Sequence, residues 1–400
     1  MSDYGRQAIY YFLYGLKGLS IYLVMFCILN LSSAINFSEF GASYSLFLIL
    51  LPMVNVGVAS LILRYSYSYK NQQNAFFFGF LVQSSAITVA LLILGSSIKV
   101  GLIILWAAFR SAHLSYEAYL ISKRYYFHVG SLYLYHIVGA LIIAFGVFNN
   151  SLTSLNNVLF AFVALEFIAI PLIGGHISTQ STWAIFRSSV VRWRIYRYVF
   201  PVTAISVLMA LFLNSDKLII SSLDILDNLE KYFYLFFIIL AIHRFLTTPF
   251  IMRYSSQYYQ ASDNIIPARV IFIGISTIIA STVLLSSALK FVQPQSFVPN
   301  YVFAFSFLVV SLYILNLQML YFKKKRILNV LARNLFAGFI CSLFVMLFIL
   351  KVFGFQYVDV AIVLNAVLMV CIVAQSDQAV SRRYVRILTA IAAVFLLVRL

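Results

Sequence analysis

Charge is what this sequence has least of. Asp, Glu, Lys and Arg make up 10% of the 400 residues, against roughly 25% in a soluble globular protein, while 63% are apolar or aromatic. No polar stretch is long enough for a water-soluble domain, which excludes the functions that need one. A Gly-x-x-x-x-Gly-Lys phosphate cradle is also missing, so the chain is not expected to hydrolyse ATP itself. Cysteine is nearly missing too. Cys27, Cys341 and Cys371 lie inside apolar runs, where a thiol packs as a small hydrophobe rather than forming a disulfide or a metal site. The loops lack catalytic groupings: 290–300 has neither carboxylate nor histidine, and 223–231 holds only Asp224, Asp227 and Glu230. No catalytic residue, cofactor or metal is expected. A short signal-type apolar core with a small-residue cleavage site is lacking as well, so the first apolar run, from Tyr10, is expected to be retained.

What remains is hydrocarbon. Runs of about 20 apolar residues, each enough to span about 30 Å of bilayer, fall at 10–31, 41–63, 75–98, 100–120, 129–149 and 158–177, then at 198–222, 232–252, 270–289, 301–322, 329–350 and 357–375. This predicts an all-α polytopic membrane protein of about twelve transmembrane helices. The segments are an N-terminal half (1–177), a basic connector (178–197), a C-terminal half (198–375) and a basic tail (376–400) whose stretch 387–398 is expected to lie at the interface. The net charge of +17 does not point to nucleic acid, because the basic residues are scattered among apolar spans instead of forming a basic groove. They alternate by loop. With the N-terminus inside, eighteen Lys and Arg, including Arg187, Arg192, Arg194, Arg197 and the run Lys323–Arg326, fall on one side, and Lys99, Lys231, Lys290 and Lys351 on the other. Positive charge stays cytoplasmic, so both termini are expected there, with Lys323–Arg326 against lipid headgroups.

An internal repeat appears at an offset of 189 residues. Tyr44-Ser-Leu-Phe-Leu-Ile-Leu-Leu51 falls on Phe233-Tyr-Leu-Phe-Phe-Ile-Ile-Leu240, and Arg64-Tyr-Ser66 on Arg253-Tyr-Ser255. Both copies run from outside to inside, which predicts two pseudo-symmetric six-helix halves related by an axis along the membrane normal, with a site between them.

Ionisable residues inside spans carry the most information, since a mid-bilayer charge costs about 2.5–3.5 kcal/mol on the insertion scale. Arg110, His113 and Glu117 follow one another at spacings of three and four, on one face of the fourth span. Lys17, Glu166 and the pair His243-Arg244 are equally deep, and His136 is a partner candidate for Glu166. Lys17, Arg110, His113 and Arg244 are the candidate substrate-binding residues, and their basic excess suggests an anionic cargo. Glu117 and Glu166 are coupling candidates, since a carboxylate beside histidine can relay a proton. Asp216, next to Lys217 toward the outer end of the seventh span, is a gating candidate with a local ion pair as the alternative. Arg333 is explained by snorkelling, and Asn55, Gln83, Asn316 and Gln318 by bridging between helices.

Phe37-Ser-Glu-Phe-Gly41 before Tyr44-Ser45, the exit at Arg64-Tyr-Ser66, and Phe200-Pro201 followed by Asn214-Ser-Asp216-Lys-Leu-Ile-Ile220 resemble polysaccharide flippases of the Wzx type, in the multidrug, oligosaccharidyl-lipid and polysaccharide exporter superfamily. The resemblance extends over nearly the whole chain in span number, order and loop size. It implies a bacterial inner-membrane protein that moves undecaprenyl-pyrophosphate-linked repeat units of O-antigen, capsule or exopolysaccharide from the cytoplasmic to the periplasmic leaflet. It also implies alternating access through a basic central cavity, in the company of a polymerase and a chain-length regulator, with Lys17, Arg110 and Arg244 as the positions able to grip the pyrophosphate. The alternatives are a membrane enzyme of the O-antigen polymerase or ligase kind, whose large outer loop this chain lacks, and a same-fold exporter of another cargo.

Overall fold

The computed structural model describes residues 3–32, 35–64, 69–123, 125–174, 193–222, 229–260, 267–292, 298–325, 328–374 and 382–399. They form helices α1 (Asp3–Leu31), α2 (Phe37–Asn55), α3 (Val58–Arg64), α4 (Tyr69–Leu94), α5 (Ile98–Ser122), α6 (Tyr126–Phe148) and α7 (Leu155–Gly174), followed by α8 (Trp193–Ser222), α9 (Leu229–Gln260), α10 (Ala268–Val292), α11 (Pro299–Lys325), α12 (Leu328–Val352), α13 (Val358–Ala374) and α14 (Arg382–Arg399). No strand occurs among the described residues. Nine helices among them are long and apolar enough to cross a membrane, the pattern of a multi-pass membrane protein; the apolar stretches of α7 and α13 are shorter.

The side-chain distribution explains why a bilayer suits this bundle. On α6, Leu134, Val138, Leu141, Ile142, Phe145 and Phe148 are exposed along one stripe, while Tyr133 and His136 are buried on the other face. A soluble helix shows the reverse. Apolar-out, polar-in is the arrangement stable in hydrocarbon, where lipid covers the stripe and polar groups must find partners inside.

The chain forms two compact units, Met1–Leu218 and Ile219–Leu400. In the first, α5 is the axis, touching α2, α3, α4, α6 and α7, while α1 packs along α6. In the second, α11 is the axis, touching α9, α10, α12 and α13, and α14 lies against α13. There Phe395 of α14 stacks on Phe303 of α11 at 4.5 Å between ring centroids, so the tail segment 387–398 belongs to a longer helix docked on the second unit. The 178–197 connector is largely outside the described residues, and the division between the units falls further along the chain, inside α8. The reason is packing: Val199 joins the apolar cluster of Val58, Leu61, Ile62, Ala75 and Ala118 in the first unit.

Asn36 starts α2, its side chain accepting from the backbone N–H groups of Ser38 and Glu39, two of the donors a helix start leaves unpaired. The Phe37-Ser-Glu-Phe-Gly41 stretch is therefore the first turn of a helix. The second expected span is broken into α2 and α3. Pro52 lies inside α2, and Val56 and Gly57 both adopt positive φ, at 46° and 66°, a conformation that costs a non-glycine residue about 1–2 kcal/mol. Gly57 needs its lack of a side chain twice over. A Cβ there would sit 3.2 Å from Thr203 Oγ1 and 3.4 Å from Val202 Cγ1 of α8. We expect Gly57→Ala to lower the apparent Tm of the purified protein by several degrees, whereas Gly18→Ala on α1, where a Cβ meets nothing within 4 Å, leaves it unchanged or raises it. Equal shifts for the two would remove the claimed role of the break.

Candidate functional site

The first unit buries four formal charges and two histidines in one network, drawn from α1, α5, α6 and α7. The spacing on α5 creates it. Residues three and four apart share a helix face, so Arg110, His113 and Glu117 line the same side and reach two different helices. At one end Lys17 of α1 donates to Glu117 Oε2 at 2.9 Å, and Tyr133 of α6 donates to Glu117 Oε1 at 2.5 Å. The Lys17 ammonium also lies 4.2 Å from the centroid of the Tyr133 ring, within cation–π range. At the other end Glu166 of α7 takes three neighbours. Arg110 Nη1 is 3.6 Å from its Oε1, His136 Nε2 is 3.1 Å from its Oε2, and His113 Nδ1 makes a close contact with the same Oε2. Arg110 Nη1 is also 3.0 Å from His136 Nε2.

The network lies between two aromatic layers. On one side Trp106, one turn before Arg110, stacks between Phe47 of α2 at 3.9 Å and Phe162 of α7 at 4.5 Å. On the other, Tyr10, Tyr116, Leu120, Val129 and Tyr133 form an apolar cluster. The side chains of Lys17, Glu117, Arg110 and Glu166 are 10%, 8%, 14% and 6% exposed. Removing one partner from such a pair leaves a buried charge uncompensated, at a cost of about 3–5 kcal/mol. Next to the network, Asn55 donates to Ser111 Oγ at 3.3 Å and Gln83 donates to it at 3.1 Å, so both bridge to α5 from α2 and α4.

Protonation decides how Glu166 is satisfied. His136 Nδ1 lies 2.7 Å from the Leu132 carbonyl, a partner that only accepts, so Nδ1 carries a hydrogen. In the neutral ring Nε2 is then a bare lone pair that accepts from Arg110. In the protonated ring it donates to Glu166 and can no longer accept. One proton therefore selects between an arginine tied to histidine and an arginine that must bond elsewhere. His113 Nε2 is buried with no hydrogen-bond partner, the cheaper nitrogen to leave alone if Nδ1 holds the hydrogen facing Glu166.

Of the residues singled out in the sequence, Lys17, Arg110, His113, Glu117, His136 and Glu166 come together here. Within this network each cation faces a carboxylate, and with both imidazoles neutral the formal charges cancel, so the expected basic excess rests on Arg244. The side chain of Arg244 lies outside the described residues, as does His176. Asp216 is not in the network; both its oxygens are 2.7 Å from Lys217 Nζ, and Lys217 also donates to the Leu213 carbonyl at 2.6 Å, the local pair weighed as the alternative to gating. Arg333 is exposed, and the three cysteines are free. Tyr133 and Tyr10, which are 3.4 Å apart at their hydroxyls, were not singled out. Their signal was spacing: Tyr133 and His136 are three apart on α6, and Tyr10, Tyr14 and Lys17 recur at four and three on α1.

No family model, curated protein or solved structure matches the chain.

We expect Glu117→Ala to destabilise the protein by about 3–5 kcal/mol. The double replacement Lys17→Met with Glu117→Leu should recover most of that loss, since it removes both charges together. Thermal unfolding of the single and double variants in one detergent checks this, and additive losses would mean that the two groups do not form a pair.

Proposed function

We propose that this chain is a flippase of the Wzx kind, carrying an undecaprenyl-pyrophosphate-linked oligosaccharide from the cytoplasmic to the periplasmic leaflet of a bacterial inner membrane. The observation that carries the reading is the buried charged network on α5, α6, α7 and α1. A protein whose task were only to scaffold has no reason to bear the desolvation of four charges in hydrocarbon. Two further features support it. The resemblance at Phe37–Gly41, Arg64–Ser66 and Asn214–Ile220 extends along both halves. The neighbour pattern also recurs: in each unit the fourth span of its half is the axis and touches the second, third, fifth and sixth. That recurrence fits the internal repeat expected of a transporter built from two related halves.

On this reading Lys17 and Arg110 are not standing open for the pyrophosphate; they are held by Glu117 and Glu166 and become available when those carboxylates are satisfied otherwise. A proton at Glu166 or His136 is one such substitute, which joins cation entry to release of Arg110. Arg244 is the basic candidate of the second half. The potential helps as well: an anionic headgroup moving outward runs down an inside-negative voltage, worth about 2.3 kcal/mol per charge per 100 mV.

Deleting the gene should abolish full-length surface polysaccharide and leave single lipid-linked repeat units on the cytoplasmic leaflet, with rescue by the wild type but not by Arg110→Ala or Arg244→Ala. Repeat units that reach the periplasmic leaflet and stay unpolymerised would make the chain a polymerase instead. In proteoliposomes, Glu117→Gln combined with Glu166→Gln should flatten the pH dependence of flipping; an unchanged profile would end the coupling assignment.

A further inference from the structure

We propose that His113, His136 and Glu166 form a binding site for a divalent transition metal of the zinc type, and that Arg110 occupies the cation position when the metal is away. The site goes beyond the flippase reading and does not depend on the cargo.

The donors come from three helices. His113 Nδ1 on α5, His136 Nε2 on α6 and a carboxylate oxygen of Glu166 on α7 all lie within 4.8 Å of one another. With metal bonds of about 2.0–2.1 Å, neighbouring donors around a tetrahedral ion stand roughly 3.4 Å apart, and His136 Nε2 and Glu166 Oε2 are at 3.1 Å. That pair already stands near the spacing an ion requires, and His113 Nδ1 faces the same carboxylate oxygen from a third helix. The side chains are 0%, 7% and 6% exposed, in that order, and each is fixed by the packing of its helix around α5.

The surroundings of His136 are those of a metal-ligating imidazole, whereas ligation by His113 Nδ1 moves its hydrogen to Nε2, which is buried with no hydrogen-bond partner. His136 Nδ1 donates to the Leu132 carbonyl, the outer hydrogen bond that leaves Nε2 bare and aimed at the ion. Two imidazoles and one carboxylate suit a borderline-soft ion and disfavour calcium or magnesium, which require oxygen. Three protein ligands leave a coordination position open, and an anionic oxygen there offsets charge that the protein lacks.

Arg110 explains how the donors are kept together in the absence of the ion. Its Nη1 bonds His136 Nε2 at 3.0 Å and lies 3.6 Å from Glu166 Oε1, so a guanidinium holds the two groups that a metal would claim. The two cations compete for the same lone pairs. Lys17 is engaged by Glu117 and takes no part in the exchange.

The full chain, purified in detergent and stripped with a chelator, is titrated with cobalt(II) and followed by visible absorption, with zinc binding measured by calorimetry. We expect one equivalent bound with the spectrum of a tetrahedral site. Affinity should fall about tenfold or more in His113→Ala and in His136→Ala. Arg110→Ala should do the opposite, keeping the spectrum and binding more tightly because the competitor is gone. Absence of a tetrahedral spectrum in the wild type, equal affinity in the wild type and both histidine variants, or weaker binding by Arg110→Ala would each overturn the site. The wild-type and Arg110→Ala measurements decide the matter even if a histidine variant fails to fold. Flipping assays are not involved, so loss of this site and loss of the flippase reading are separate results.

Discussion

Two buried carboxylates organise the first unit. Glu117 and Glu166 are 8% and 6% exposed at the side chain, and a buried carboxylate is tolerated only where cations and hydrogen-bond donors surround it. That requirement recruits one residue or more from each of four helices: Lys17 from α1, Arg110 and His113 from α5, Tyr133 and His136 from α6, with Glu166 itself on α7. Helix association in hydrocarbon has no hydrophobic drive of its own, so these polar contacts specify which helices meet and in what register. The packing of α1 along α6 follows, because Lys17 reaches Glu117 beside Tyr133.

The arrangement is unequal between the two units. Among the described residues, the buried acidic and basic side chains of the second unit are His243 and Asp359, and its axis α11 is lined by Phe305, Tyr313, Leu315 and Leu317 in place of charges. The aromatic layers explain why the first unit can hold its charges at all. Trp106, Phe47 and Phe162 on one side and the tyrosine cluster on the other keep the local dielectric low, which strengthens every paired contact and raises the penalty for any unpaired one.

Much of this was legible in the sequence, because hydrocarbon permits few solutions. Each expected span falls on a helix, and the second falls on two, since apolar run length is a direct reading of what a bilayer accepts. The break at Val56-Gly57 was hidden: valine is a poor residue for positive φ, and nothing local announces it apart from Pro52 four residues before. The face formed by Arg110, His113 and Glu117 followed from helical spacing alone. Which partner each would choose did not, because Lys17 and Glu117 are 100 residues apart and spacing within one helix says nothing of its neighbour. Charge counting met the same limit. Lys17, Arg110 and Arg244 outnumber Glu117 and Glu166, and with Lys17 and Arg110 each facing a carboxylate the excess rests on Arg244, whose side chain lies outside the described residues.

Neutrality within the network has a consequence for any anion that would bind there. Drawing Arg110 toward an anionic ligand strips Glu166 of its nearest guanidinium, at a cost comparable to breaking a buried ion pair. An anion alone therefore gains little from Arg110, since what it wins from the guanidinium the carboxylate loses. The balance changes once a second cation, a proton or a metal, settles among His113, His136 and Glu166. The carboxylate is then satisfied without Arg110, and the arginine becomes a free cation in a medium where free cations are costly. On the proposed reading an anion and a cation would favour each other's binding through one side chain, and by linkage the effect would be reciprocal. In the proposed flippase, that reciprocity supplies what alternating access needs: a loaded state in which both ligands are present and an empty state in which Arg110 returns to its own carboxylate.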